Sequence, residues 1–283
     1  MKPTFVIIGE QKSGTGWLRD RLRDHPRVYC HDKEVNFFNS KHNYALGLTW
    51  YSSLLNADRD VIAIGEKSPD YFWINRPSNE HFSNPLENIA RDLPDARIVL
   101  SLRDPVDRTI SAFNHYLYHR GRHIQPQLTR LHSLSELLFS ERFGIAEKWG
   151  ILQRGFYAQR LGITQRLFGS NLLTLIFEED IVRNPLMGLR RVCEHLGVDF
   201  LPGTFRLADN PKERKPSYPE LLVGHHAQFL RPLLRRLPLG PQYRVNGDEA
   251  TRARLRSFYA EDVAATLRML GRNADSWPSL TTE

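Results

Sequence analysis

Apolar runs rich in Val, Ile and Leu recur along the chain, separated by longer stretches in which apolar residues fall three and four positions apart. The runs predict strands at residues 5–8, 61–64, 97–102 and 172–177. The spaced stretches predict helices at 17–23, 47–55, 85–91, 106–119, 156–168 and 185–196, and a long last one at 249–270. Local signals agree. Ser133-Leu134-Ser135-Glu136 has the form of a capping box, Pro85 and Pro185 suit first helical positions, and Gly197 suits a helix stop. Strand followed by helix, repeated, marks an α/β chain with a central parallel sheet and helices on both faces. No repeat, low-complexity tract or linker interrupts the pattern, so residues 1–283 are expected to form a single domain. In open parallel sheets, ligands bind at the carboxyl ends of the strands. The loops after Ile8, Ile64 and Leu102 are therefore the places to look for chemistry.

Composition sets bounds on this picture. The 283 residues carry a formal charge of 39 − 32 = +7, with 41% hydrophobic residues. Such a chain buries a sizeable core and is neither disordered nor collagen-like. No apolar run approaches the ~18 residues of a membrane span. The first strand begins too early to leave room for a signal peptide, so a cytoplasmic protein is expected. Cys30 and Cys193 lie far apart in a chain large enough to need no staple, and are expected as free thiols. No His, Cys or Asp cluster has metal-ligand spacing. The cations are 31 Arg and 8 Lys. Arginine suits phosphate, sulfate and carboxylate ligands. GC-rich coding favours it too, so bulk charge permits an anionic ligand without requiring one.

Two loops carry the chemistry. Gly9-Glu10-Gln11-Lys12-Ser13-Gly14-Thr15-Gly16 joins the first strand to the first helix. Its glycines allow a sharp turn, and its N–H groups, with the helix N-terminus, can cradle an anion. The spacing of Gly9 and Gly14 fits the nucleotide-binding loop GxxxxGK[ST]. However, Thr15 stands at the lysine position and Gly16 where a magnesium-binding hydroxyl belongs. The lysine sits inside the loop instead, as Lys12, which disfavours a standard ATPase or kinase. The second loop runs Arg103-Asp104-Pro105-Val106-Asp107-Arg108-Thr109-Ile110-Ser111. Arg103 at a strand end and Ser111 about two turns into the next helix can hold one anion. Asp104 reads either as a metal-binding carboxylate or as a helix cap.

Together the two loops resemble the donor-binding motifs of sulfotransferases that use 3′-phosphoadenosine 5′-phosphosulfate (PAPS). The resemblance implies a sulfotransferase fold like that of the P-loop NTPases. It assigns Gln11, Lys12, Ser13, Gly14 and Thr15 to the 5′-phosphosulfate loop, Arg103 with Ser111 to the 3′-phosphate site, and Gly16 and Trp17 to donor binding more generally. Gly16 departs from the family, which often has a larger residue there. The likeness extends over nearly the whole chain and points to the heparan sulfate N- and 3-O-sulfotransferase branch. Lys33-Glu34-Val35-Asn36-Phe37-Phe38, Gly47-Leu48-Thr49-Trp50-Tyr51 and Gly65-Glu66-Lys67-Ser68-Pro69-Asp70-Tyr71-Phe72 resemble its segments, as do Phe177-Glu178-Glu179-Asp180-Ile181 and Ser257-Phe258-Tyr259. These matches imply Glu34 as catalytic base and Lys67 as an active-site lysine. Asn36 stands where the 3-O enzymes carry a histidine, so the acceptor position is not inherited. The branch's eukaryotic members have a membrane anchor and a disulfide, and this chain resembles a bacterial, cytosolic relative. Within Asn210-Pro211-Lys212-Glu213-Arg214-Lys215, the cluster Lys212, Arg214 and Lys215 resembles a basic loop that covers the donor's 3′-phosphate.

The expected reaction moves a sulfuryl group from PAPS to a hydroxyl or amine of an acceptor, with a saccharide favoured by the branch resemblance, and leaves adenosine 3′,5′-bisphosphate. Glu34 accepts the proton, Lys12 faces the charge building on the leaving group, and Lys67 orients the reactants. Glu66 is the rival base. In an extended segment Glu66 and Lys67 point to opposite sides, so one of them at most faces the site. The scheme needs no metal. His119-Arg120-Gly121-Arg122-His123, with Arg130 and His132 beyond, reads either as a clamp for an anionic acceptor or as a solvated loop. A nucleotide-dependent kinase and a non-catalytic polyanion binder remain as alternatives. RNA-binding signatures are absent and the basic residues are spread out, so no nucleic-acid partner is expected.

Overall fold

A computed structural model describes residues 2–57, 60–74, 84–119, 124–207, 217–226 and 241–280. Five strands form one sheet: β1 (Phe5–Gly9), β2 (Val28–Cys30), β3 (Ala63–Lys67), β4 (Arg97–Leu102) and β5 (Leu172–Ile176). Their order is β2-β3-β1-β4-β5 and every pairing is parallel. β1 is therefore central, and the loop that follows it leaves from the middle of the sheet's carboxyl edge.

Alternation along β1 divides the core in two. Phe5 and Ile7 face a cluster with Leu18 and Leu22 of α1 (Thr15–Asp24). Leu189, Val192 and Cys193 of α10 (Pro185–Leu196) complete that face. Val6 and Ile8 face the larger cluster. It includes Tyr51 of α3 (Gly47–Leu54), Leu86 and Ile89 of α4 (Pro85–Asp92), and Ile110 and Phe113 of α5 (Pro105–His119). Leu161 of α9 (Ala158–Phe168) and Leu255, Tyr259 and Val263 of α12 (Glu249–Leu270) close it. Helices thus cover both faces, as a buried parallel sheet requires.

Five short helices add to the predicted set: α2 (Lys41–Ala45), α6 (Leu128–Leu131), α7 (Leu134–Phe139), α8 (Ile145–Lys148) and α11 (Tyr218–His226). The capping signals hold: Ser133 Oγ accepts from the Glu136 N–H at 3.1 Å, Pro85 and Pro185 open their helices, and Gly197 closes α10 with φ +70°. One strand moves. The apolar run predicts 61–64, but the strand is Ala63–Lys67, so polar Glu66 and Lys67 lie inside it. β2 was not predicted, because three residues are too few to show a period of two. No described helix is long and apolar enough to cross a membrane. Cys30 and Cys193 are free and buried.

Candidate active site

β1 ends at Gly9, and the chain turns through residues 10–14 into α1. Two residues there adopt left-handed backbone, Lys12 at φ +70° and Gly14 at φ +79°. Gly14 is required twice over, since a Cβ on it would lie 2.7 Å from the Phe177 ring. The helix that starts at Thr15 has no acidic residue in its first turn. Its leading N–H groups have no intrahelical acceptor, and its dipole is positive at this end. Such an end favours an anion.

Arg103 closes the loop from β4. Its Nη1 donates to the Lys12 carbonyl at 3.3 Å, its guanidinium lies 4.7 Å from the Phe177 ring centre, and its Nε is buried without a hydrogen bond, 3.6 Å from Glu178 Oε1. Burial pushes the Glu178 carboxyl up to about 7, against the pull of Arg103. Asp104 is a cap: its Oδ1 accepts from the N–H groups of Val106 and Asp107, and its Oδ2 from the Ser279 N–H. Of the two sequence readings of Asp104, the cap is therefore the one observed.

A buried ion-pair network anchors the loop from below. Glu10 is inaccessible to solvent; its Oε1 accepts from Arg154 Nε at 2.7 Å and its Oε2 from Arg160 Nη1 at 2.8 Å. Arg154 also donates to Asp70 Oδ1 at 2.7 Å and to the Pro69 carbonyl at 2.8 Å. Burial alone would raise the Glu10 carboxyl, but Arg154, Arg160 and Arg108 outweigh it and hold it below the ordinary value. The network ties the root of the anion loop to the segment after β3.

That segment presents the carboxylate and lysine singled out from the sequence. Lys67 Nζ donates to Glu34 Oε1 at 2.5 Å. Glu34 is 42% exposed and Lys67 8%. Glu66 faces the opposite way, as alternation along a strand demands. It is fully buried and accepts from the hydroxyls of Tyr71 at 2.6 Å, Ser68 at 2.7 Å and Tyr51 at 3.3 Å. Burial pushes its carboxyl up to about 7 even though these hydroxyls and the Val35 N–H favour the charged form. Two of the same hydroxyls hold Glu34's loop: the Asn36 N–H donates to Ser68 Oγ at 3.0 Å and the Phe37 N–H to Tyr71 Oη at 2.9 Å. Phe37 stacks on Tyr51 at 4.5 Å, and both it and Phe38 are buried. Asn36, between Glu34 and Phe37 in the chain, has left-handed backbone at φ +52°.

A cavity of about 640 Å³ joins these parts. Gln11, Lys12, Gly14, Thr15, Gly16, Trp17, Glu34, Lys67, Arg103 and Ser111 all line it. Ser13 is the exception: it is buried, and its carbonyl accepts from Ser101 Oγ at 2.7 Å. Glu66 is not in the wall. The candidate residues Lys212, Arg214 and Lys215, and the Arg120–His123 stretch, lie outside the described residues. Arg130 and His132 do not line the cavity; Arg130 packs 3.5 Å from the Tyr218 ring centre and His132 pairs with Glu136 at 2.9 Å. The sequence did not single out Asp70, Trp73, His115, Tyr116 and Trp149 as cavity residues. Nor did it reveal Arg154 and Arg160. Arg160 offered one signal, a charge three positions from Tyr157 on the apolar side of its helix. The chemistry available is that of an anion held by a loop, a helix end and an arginine, next to a lysine-paired carboxylate able to take a proton.

Comparison with known proteins follows the same lines. The solved sulfotransferase from Alicyclobacillus acidocaldarius has the same fold, with a TM-score of 0.68 over 98% of this chain and 99% of that one, at 23% identity. Heparan sulfate glucosamine 3-O-sulfotransferase 3A1 of Mus musculus is 31% identical over 198 residues, 69% of this chain and 46% of the relative. The membrane-associated sulfotransferase kil1 of Dictyostelium discoideum is 35% identical over 143 residues, 49% of this chain and 28% of the relative. The chain thus spans less than half the length of these curated relatives. The family model described as sulfotransferase domain matches residues 2–210, which takes in all five strands, the anion loop, Glu34, Lys67 and Arg103. On that match the chain belongs to the sulfotransferase domain family.

Proposed function

We propose that the cavity binds PAPS and transfers its sulfuryl group to a hydroxyl or amine, with a saccharide as acceptor. The observation that carries this reading is the meeting of four separate stretches at one cavity: loop 11–17, Glu34, Lys67, and Arg103 with Ser111. Membership of the sulfotransferase domain family supports it, as do relatives named for sulfation of heparan sulfate. The capping role of Asp104 counts against a kinase, because it takes away the carboxylate that read as a metal ligand. Residues 1–283 act as one domain in this reading, supported by two cores built on a single sheet. The buried free thiols of Cys30 and Cys193 suit a reducing, cytoplasmic setting.

The residues divide the work. Lys12 and the leading N–H groups of α1 hold the phosphosulfate, while Arg103 and Ser111 hold the 3′-phosphate. Glu34 takes the acceptor's proton as the acceptor oxygen or nitrogen bonds to sulfur. The bond from sulfur to the bridging phosphate oxygen breaks, and its electron pair leaves on adenosine 3′,5′-bisphosphate. Lys12 and the loop amides face the charge that grows on that oxygen. Lys67 keeps Glu34 placed from 2.5 Å, and the hydroxyls fixed by Glu66 keep its loop still. Incubation with ³⁵S-labelled PAPS and a panel of saccharides tests the proposal. It expects label on a saccharide with release of adenosine 3′,5′-bisphosphate. Magnesium-dependent ATP turnover with no use of PAPS would overturn it.

A further inference from the structure

Resting on the sulfotransferase reading above, we infer that Glu178 is a positioning residue for the donor: it holds Arg103 for the 3′-phosphate and takes a proton from solvent when that phosphate binds. The register of the sheet brings the two side chains together. Leu102 pairs with Ile176 across β4 and β5, so Arg103 leaves its strand beside Phe177, and Asp104 beside Glu178. The Phe177 ring centre lies 4.7 Å from the Arg103 guanidinium, and the same ring fills the space beside Gly14 of the anion loop. Glu178 Oε1 stands 3.6 Å from Arg103 Nε, while Arg103 Nη1 donates to the Lys12 carbonyl at 3.3 Å. Arg103 lines the cavity and Glu178 does not, so the carboxylate steadies the guanidinium from behind the wall. A guanidinium fixed in this way is set up for a planar, two-pronged contact with phosphate.

That placement makes Glu178 sensitive to what Arg103 binds. The charged groups facing it from the turn after β4 are Arg103 and Asp104. Asp107, next to Asp104, is paired with Arg252 at 3.0 Å. On Glu178's own segment, Glu179 is paired with Arg272 at 3.4 Å and Asp180 with Arg191 at 2.6 Å. Arg103 is thus the cation that favours the Glu178 carboxylate, against the burial that pushes its carboxyl up to about 7. A dianionic phosphate on Arg103 offsets that cation and adds like charge where screening is poor, which shifts Glu178 toward its neutral form. Asp104 is the poorer proton acceptor. Its two oxygens accept from the N–H groups of Val106, Asp107 and Ser279, contacts that favour the charged form. Glu178 shares the Asp104 N–H between its oxygens at 3.4 Å, longer than an ordinary hydrogen bond.

Titration calorimetry in two buffers of different ionisation enthalpy reads the proton directly. It is run at about pH 7.5, above the second ionisation of a phosphate at about 6. The wild-type protein is expected to take up about half a proton more with adenosine 3′,5′-bisphosphate than with 5′-AMP. Because the bound state holds the proton more tightly, the preference for the bisphosphate is expected to fall about fivefold between about pH 7 and pH 9. Glu178→Gln should lose both effects while still binding the bisphosphate. A merely structural Glu178 would change affinity in that variant and leave the proton difference in place. His115 also lines the cavity, and histidine ordinarily titrates near neutral pH. His115→Gln should keep both effects, and this arm and the wild-type one decide the matter even where Glu178→Gln fails to fold. Equal uptake with the two nucleotides would overturn the inference, as would extra uptake that persists in Glu178→Gln or disappears in His115→Gln. A wild-type protein with no preference for the bisphosphate at any pH would instead overturn the donor reading beneath it.

Discussion

Lys67 Nζ and Glu34 Oε1 lie 2.5 Å apart, while Glu66, the neighbour of Lys67 in the chain, is buried on the other side of its strand under three hydroxyls. The two carboxylates that compete for the role of base in the sequence are thereby separated: one reaches the cavity and the other does not. Glu34→Gln keeps the size of the side chain and removes its basicity. We expect kcat to fall by ~10²–10⁴-fold with donor affinity nearly unchanged. Steady-state assays paired with nucleotide calorimetry check both halves of the expectation.

Glu66→Gln acts differently. A Gln keeps one acceptor oxygen and presents an NH₂ in place of the other, so either Tyr71 or Ser68 loses its acceptor and turns, which loosens the Phe37 or Asn36 N–H it holds. A drop in kcat smaller than that of Glu34→Gln is expected. A near-normal Glu34→Gln enzyme beside a dead, donor-competent Glu66→Gln enzyme would reverse the two roles.

Glu66 also sets a pH dependence. Its carboxyl is pushed up to about 7 in the folded protein from an ordinary value of 4.5. Between those values the folded state holds the proton more tightly than the unfolded state, so this group's contribution to stability falls as pH rises from about 4.5 to about 7. Glu178 shares the direction and the window, so the wild-type slope alone does not isolate Glu66. Denaturant unfolding across this range should show a shallower fall in Glu66→Gln than in the wild type. Identical slopes would contradict the burial cost assigned to Glu66.

The network under the loop gives a stability prediction. Glu10→Gln removes two of these three ion pairs, leaving buried Arg154 with Asp70 and buried Arg160 without the carboxylate it pairs with. Breaking a buried ion pair from one side costs about 3–5 kcal/mol. A clear loss in denaturant midpoint is expected, and a midpoint within error of wild type would contradict it.

Metal dependence separates this site from a nucleotide kinase. Gly16 occupies the place of the magnesium-binding hydroxyl and Asp104 spends both oxygens on backbone N–H groups. Turnover with PAPS should survive excess EDTA. Loss of activity on chelation, restored by magnesium, would favour the kinase reading.

Much of the fold was legible because its signals are local. β4 and the helices at 185–196 and 249–270 match their predicted bounds, each set by an apolar run or spacing with a cap or proline at its edge. β3 was misplaced because Glu66 and Lys67 look like an end to a strand. The hydroxyls of Tyr51, Ser68 and Tyr71 and the carboxylate of Glu34 make those positions tolerable inside one. For the site, loop 11–17 apart from buried Ser13, with Glu34, Lys67, Arg103 and Ser111, stood out by motif and lines one cavity. The aromatic wall and the Glu10–Arg154–Arg160 network did not, since Trp149 and Arg154 carry no pattern until the fold brings them beside residues some 80 to 140 positions away.

The assignment of Arg103 and Ser111 to a donor's 3′-phosphate is tested most directly by calorimetry of adenosine 3′,5′-bisphosphate against 5′-AMP. A charge-assisted contact contributes ~1.5–3 kcal/mol, which is roughly tenfold or more in affinity. The bisphosphate should therefore bind at least roughly tenfold more tightly than 5′-AMP, and Arg103→Ala should erase most of that preference. Equal affinities for the two nucleotides in the wild-type protein would contradict the donor site.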